Sequence, residues 1–192
     1  MNDIEIQKLS EENFNRNSLL SFDRHQIVNE CWRKRDGEWV LLPISFVEEW
    51  GEEELIALSE SILKGIREGK MIAYAAFDKG SIIGFSIIGT ELFGSRNHYL
   101  PLIEFEVSYT YRGKGIGRRL FSFAASEALA LGAEKLYISA HSSKESQAAY
   151  RSLGCTEAEE INVELREKEP CDVQMEYPLI LLSAGKRQPM GS

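Results

Sequence analysis

The sequence predicts an α/β fold made as a single domain, a mixed sheet with helices on both faces. Three observations predict it. Between Leu102 and Gly132 the apolar spacing changes from every second residue to every third or fourth, which marks a strand running into an amphipathic helix. Leu136, Ile138 and Ala140 then alternate with Tyr137, Ser139 and His141, so a second strand follows and the helical crossover sets it parallel to the first. Upstream, Met71 to Phe77 and Ile82 to Gly89 flank Asp78-Lys79-Gly80-Ser81, an antiparallel hairpin. With 192 residues the chain can bury one sizeable core and is short for two. Residues 1–182 are read as that domain and 183–192 as a flexible polar tail.

Element by element, Ile4 to Leu9 has the pattern of a short strand, and Ser10-Glu11-Glu12 looks like a cap with acids in the first turn of a following helix. From Asn15 to Trp50 the signals are mixed: Asp36-Gly37 marks a turn and Pro43 disfavours helix before it. Glu52 to Glu68 is helical, with Leu55, Leu58, Ser59, Ile62, Leu63 and Ile66 on one face and Gly69 as its stop. Lys144 to Leu153 is a short helix closed by Gly154, and Ile161 to Arg166 with Asp172 to Leu179 read as a closing antiparallel strand pair.

Composition excludes several function classes. A net charge of −8 argues against nucleic acid as the partner. No apolar run approaches the length of a membrane span, and the first residues lack the layout of a signal peptide, so cytoplasm is the expected compartment and no membrane partner is expected. Cys31, Cys155 and Cys171 are too scattered for a disulfide framework or a zinc site, and no metal is expected.

Against that acidic background, Arg112-Gly113-Lys114-Gly115-Ile116-Gly117-Arg118-Arg119 places four cations and no acid at the start of a helix, where cations oppose the helix dipole. Glycines at 113, 115 and 117 permit positive φ and a close approach to the backbone, and first-turn N–H groups have no partner within the helix. The combination describes an anion site, with phosphate the natural occupant. A magnesium-dependent phosphate loop needs Ser or Thr after Gly113-Lys114, and Gly115 stands there. A dinucleotide site needs wider glycine spacing and an acid closing the next strand, which ends instead at His141.

Arg112 to Gly117 fits the Arg/Gln-x-x-Gly-x-Gly/Ala turn of the GNAT acyltransferase superfamily, and Tyr150-Arg-Ser-Leu-Gly154 is similar to the Tyr-x-x-x-Gly of that family's penultimate helix. The resemblance covers nearly the whole chain. It implies a mostly antiparallel sheet with a splayed parallel strand pair at its centre, and an acetyl-CoA-dependent N-acetyltransferase acting on a primary amine of a small molecule or peptide. Arg112, Gly113, Lys114, Gly115, Ile116, Gly117 and Arg118 would hold the CoA diphosphate, with pantetheine along Val107, Ser108 and Tyr109. Ser143 stands where the family often has an Asn that contacts pantetheine, and Cys155 where an aromatic usually follows Gly154. Oligomeric state stays open, a homodimer included. A non-catalytic CoA-binding module of the same fold is the alternative.

Three residues are candidates for the chemistry. Glu104 and Glu106, two apart on one strand and roughly 7 Å from each other, would make a general base if their face is covered, since burial and mutual repulsion raise a carboxylate pKa. If the face is open they are ordinary solvated acids. Tyr150 is either a core aromatic or, as its Tyr-x-x-x-Gly setting implies, the acid that protonates the departing thiolate. An oxyanion donor is expected at the backbone N–H of Val107 or Ser108, and His141 is a minor candidate for base or acceptor contact.

Overall fold

The computed structural model describes residues 4–179, so the tail expected over 183–192 and the domain end expected at 182 lie outside the described residues. Along the chain run β1 (Glu5–Lys8), β2 (His25–Arg35), β3 (Glu38–Glu49), α1 (Glu52–Arg67), β4 (Met71–Asp78), β5 (Ser81–Gly89), β6 (Tyr99–Val107), α2 (Ile116–Ala130), β7 (Lys135–Ala140), α3 (Lys144–Leu153), β8 (Thr156–Glu157), α4 (Val163–Lys168) and β9 (Val173–Pro178). Seven strands form one sheet in the order β1-β4-β5-β6-β7-β9-β8, while β2 and β3 form a separate hairpin. Every pairing in the large sheet is antiparallel except β6 with β7. No described helix is long and apolar enough to cross a membrane.

The two faces of the sheet are covered by different helices. Leu55 and Ile62 of α1 pack on Ala73, Ala75, Phe85 and Ile87. On the other face Ile116 and Leu120 of α2 meet Ala76 and Ile83, and Phe121, Ala124 and Ala128 meet Leu100, Leu136 and Ile138. The apolar rows read from the sequence are these contact rows. The hairpin turns also follow local chemistry, with positive φ at Asp36-Gly37 and at Lys79-Gly80, as tight two-residue turns require.

Two expected elements are absent. No helix follows Ser10: the chain makes a series of turns to residue 23. Asn13 caps the Ser10 amide and reaches the Lys8 carbonyl, Asn15 bonds the Asn17 amide, and Ser18 bonds that of Asn15. Side chains that short satisfy the backbone locally and compete with a helical ladder. The strand expected over Ile161 to Arg166 is largely α4, because the Asn162 side chain accepts from the Leu165 amide and caps a helix. Its place beside β9 is taken by β7 on one side and β8 on the other.

The break that opens the sheet lies in β6. Its parallel ladder with β7 stops at Leu102 opposite Ile138, although both strands continue. At the same point the register with β5 jumps: Ile87 faces Glu104, Ile88 faces Leu102, and Ile103 has no partner. An extra residue bends a strand and ends pairing at its edge, so the bulge at Ile103 is the physical cause of the splay between β6 and β7.

Candidate active site

A cleft of about 1140 Å³ opens at the splay and runs from the α2 turn to the base of the β2–β3 hairpin. Its walls include Glu104, Glu106, Val107, Tyr109, Arg112, Gly113, Gly115, Ile116, Gly117, Arg118 and Tyr150. Ser108, Lys114 and Ser143 are not among the lining residues.

At one end, α2 begins at Gly115, whose φ of 80° is left-handed and which carries no side-chain cap. Gly113 is left-handed too, at 74°. Nothing lies within 4 Å of where a Cβ would stand at either glycine, so the backbone of the turn is open to close approach there. Gly117 differs. It lies inside α2 without positive φ, and a Cβ there would sit at ordinary contact distance, 3.4 Å from Phe105 Cζ and 3.6 Å from Val107 Cγ2, so neither φ nor space demands glycine at this position. Arg112 Nε donates to the Val107 carbonyl, Arg118 and Arg119 donate to the Ser152 and Ile4 carbonyls, and Lys114 Nζ lies over the Tyr111 ring. None of the four makes an ion pair with an acid among the described residues.

The backbone of β6 beside the gap divides by alternation. The Ser108 amide donates to the Ile83 carbonyl at 2.9 Å, so in the antiparallel ladder Ser108 belongs to a bonded pair and Val107, opposite Gly84, to a non-bonded one. Val107 therefore turns its N–H and C=O away from β5, toward the splay. The Tyr109 amide is spent on the Asp23 carbonyl, and Ser108 Oγ accepts the Asp23 amide. The Ser108 N–H is thus taken up within the sheet, while that of Val107 is turned from β5. Ser143 is also spent: it is fully buried, caps α3 through the Ser146 amide, and accepts from Gln26 Nε2.

Glu104 and Glu106 are opposite Ile87 and Phe85 and so share the face of the sheet that α1 and the hairpin base cover. That face is not open. Burial first, and the charge of Glu106 second, push the Glu104 carboxyl up to about 7, against the pull of Arg24. Glu106 is raised by burial and held back by Arg24 and Arg112. Glu104 has no ion pair or hydrogen bond among the described residues, whereas Glu106 Oε1 lies 3.1 Å from Arg24 Nε. Arg24 in turn bonds Glu48 and Gln26, each at 3.0 Å, and Glu48 lies 3.4 Å from His141 Nε2. The Ser143 amide donates to His141 Nδ1 at 3.2 Å, which leaves Nε2 as the protonated nitrogen facing Glu48.

Tyr150 packs against Phe105, ring centroids 5.9 Å apart, while lining the cleft. Burial, then the charge of Glu106, holds its hydroxyl well above the usual range, so it keeps its proton at any physiological pH. The ring is packed as a core aromatic would be, and the residue also borders the cleft. Arg24, Glu48, Trp50 and Asp172 also line the cleft, and of these Arg24 and Asp172 were not foreseen. Arg24 and Glu48 sit in the stretch whose local signals are mixed, and only tertiary contact gives them meaning.

A family model described as the acetyltransferase (GNAT) family matches residues 25–155. Among solved structures, nourseothricin acetyltransferase superposes with a TM-score of 0.68 at 17% identity, over 92% of this chain and 98% of that one. AtaTR bound with AcCoA gives 0.60 at 18%, over 96% and 98%. The PaiA N-acetyltransferase of Thermoplasma acidophilum in complex with coenzyme A gives 0.58 at 18%, over 92% and 99%. At these identities the likeness concerns the fold. No curated protein matches by sequence.

Proposed function

The chain belongs to the acetyltransferase (GNAT) family, and from that premise we propose that it moves the acetyl group of acetyl-CoA directly onto a primary amine of a small molecule or peptide. The observation that carries this reading is the shared cleft. One groove holds an uncapped, glycine-lined helix start with unpaired cations at one end and, beside the splay, a carboxylate without a partner. The coenzyme-bound GNAT structures named above support the choice of donor.

In this reading the amides from Gly113 to Arg118, with Arg112, Lys114 and Arg118, take the CoA diphosphate, and pantetheine follows Val107 and Tyr109 into the splay. Glu104, with its pKa near 7, takes the proton of the ammonium and leaves a neutral amine. The amine nitrogen bonds to the thioester carbon, and the Val107 N–H donates to the oxygen as charge develops there. The C–S bond then breaks as the Tyr150 hydroxyl gives its proton to the sulfur and the phenolate takes the surplus N–H proton from the former amine, which leaves the amide, the free thiol and Tyr150 protonated again. Nothing in this sequence needs an acyl-enzyme.

The test is thiol release over a panel of polyamines, aminoglycosides, amino acids and peptide N-termini, alongside thermal melts. We expect acetyl-CoA to raise the Tm by mass action and thiol to appear only with both acetyl-CoA and an amine. An unmoved melt at millimolar acetyl-CoA overturns the donor. A raised Tm with no thiol released against any amine points to the non-catalytic module instead.

A further inference from the structure

The acceptor end of the cleft is built around a cation that stability alone does not call for. Arg24, just ahead of β2, is 8% exposed. Its two terminal nitrogens bond Gln26 and Glu48, its Nε faces Glu106, and its guanidinium lies 5.3 Å from the Trp50 ring centre. The base of the hairpin, where the chain enters β2 and leaves β3, thus sets one side chain against Glu106 of β6. Burying such a charge is costly, and apolar residues of similar size often serve stability as well or better. The contact with Glu106 is electrostatic rather than a strap: the buried Nε makes no aligned hydrogen bond, although Oε1 is 3.1 Å away.

The charged groups around Glu106 come from several elements. Glu104 shares its strand, Arg24 and Glu48 come from the hairpin base, Arg112 follows β6, and Tyr150 comes from α3. Behind Glu48 stand His141 at the end of β7 and Asp172 ahead of β9. Among the described residues, the one ion pair made within the Glu104–Glu106 pair is that of Arg24 with Glu106. We propose that Arg24 is a positioning residue: it takes Glu106 as its counter-ion and so leaves Glu104 as the carboxylate of the pair free to receive the ammonium proton. This division of labour rests on the proposed base role of Glu104.

The experiment is a carboxyl ¹³C NMR titration of Glu104 and Glu106 in the wild type, Arg24→Gln, Arg24→Lys and Glu48→Gln, with pH profiles of kcat/KM. Removing a cation from beside two coupled acids raises the pH at which the pair gives up its protons. Arg24→Gln is expected to raise the Glu106 midpoint by about one unit or more and to move the acid limb of kcat/KM up with it. Arg24→Lys keeps the charge and is expected to restore both. Glu48→Gln removes a competing acid and should shift Glu106 the opposite way, downward. Midpoints and limb unmoved in Arg24→Gln, whatever happens to its Tm, overturn the proposal. Should that variant fail to fold, Glu48→Gln decides: a fall in the Glu106 midpoint supports the proposal and an unmoved one overturns it. The titration needs no turnover, so the base role is judged separately. Wild-type turnover in Glu104→Gln removes that role and leaves the Arg24–Glu106 coupling to stand or fall on its own midpoints.

Discussion

The two ends of the cleft are made by opposite means. The turn at the start of α2 is one contiguous stretch in which backbone conformation and charge are set by neighbouring residues, Gly113, Gly115 and the cations between Arg112 and Arg119. The acceptor end is assembled from Arg24, Glu48, Glu104, His141 and Asp172, which come from widely separated parts of the chain and meet only through the fold. A local site of this kind should fail outright when one residue is wrong. An assembled site should lose chemistry by degrees while binding at the other end persists.

The largest expected effect is on the turn. Gly115→Glu places a side chain at a φ of 80°, where L-residues are strained by about 1–2 kcal/mol, and sets a negative charge where the diphosphate is proposed to lie. The acetyl-CoA shift in Tm is expected to vanish and turnover with it. The melt of the free protein should move by only a few degrees, since nothing stands within 4 Å of a Cβ there. A retained acetyl-CoA shift would move the donor site elsewhere.

At the other end, Glu104→Gln should leave the acetyl-CoA shift intact and lower kcat by about 10²–10⁴-fold, with loss of the acid limb near pH 7. It also has a stability signature. The folded-state pKa of about 7 lies above the unfolded value, so this carboxyl favours the folded state fully below about pH 4.5, and that contribution is lost as pH rises through 7. The Gln variant should therefore gain stability over wild type at pH 8 by up to about 2–3 kcal/mol, discounted for partial exposure, and little at pH 4. A Tm difference independent of pH would count against a covered carboxylate.

The same contrast explains what was legible in the sequence. The α2 turn, the α2 apolar face and the parallel placement of β7 follow from spacing and glycines, which act over a few residues. The bulge at Ile103 was not legible: a bulge changes no residue's period over a short strand, and it is defined only by the register of β6 against Ile87 and Ile88 of β5. The face carrying Glu104 and Glu106 alternates as an exposed strand would, and only the hairpin base and Trp50, placed by tertiary contact, decide that it is covered. Short polar side chains decide both missed elements, Ser10 read as a cap where no helix follows and Asn162 capping a helix where a strand was expected. They cap a helix or replace it, and the choice depends on what lies further along the chain.

The smallest effect offers the finest comparison, because it sets two glycines of one turn against each other. Gly115→Ala introduces left-handed strain of about 1 kcal/mol into open space and should lower the Tm slightly with little effect on kcat. Gly117→Ala gains helix propensity of about 1 kcal/mol and sets its methyl at ordinary contact distance, 3.4 Å from Phe105 and 3.6 Å from Val107, so the Tm should rise by a few degrees. Its effect should appear in catalysis, since Val107 carries the N–H that we assign to the oxyanion. A raised Tm with a few-fold fall in kcat is expected for Gly117→Ala, and a lowered Tm with kcat kept for Gly115→Ala, measured by melts and steady-state kinetics on the same preparations. If Gly117→Ala were the more destabilising of the two, helix-to-strand spacing would outweigh backbone φ as the constraint on this turn.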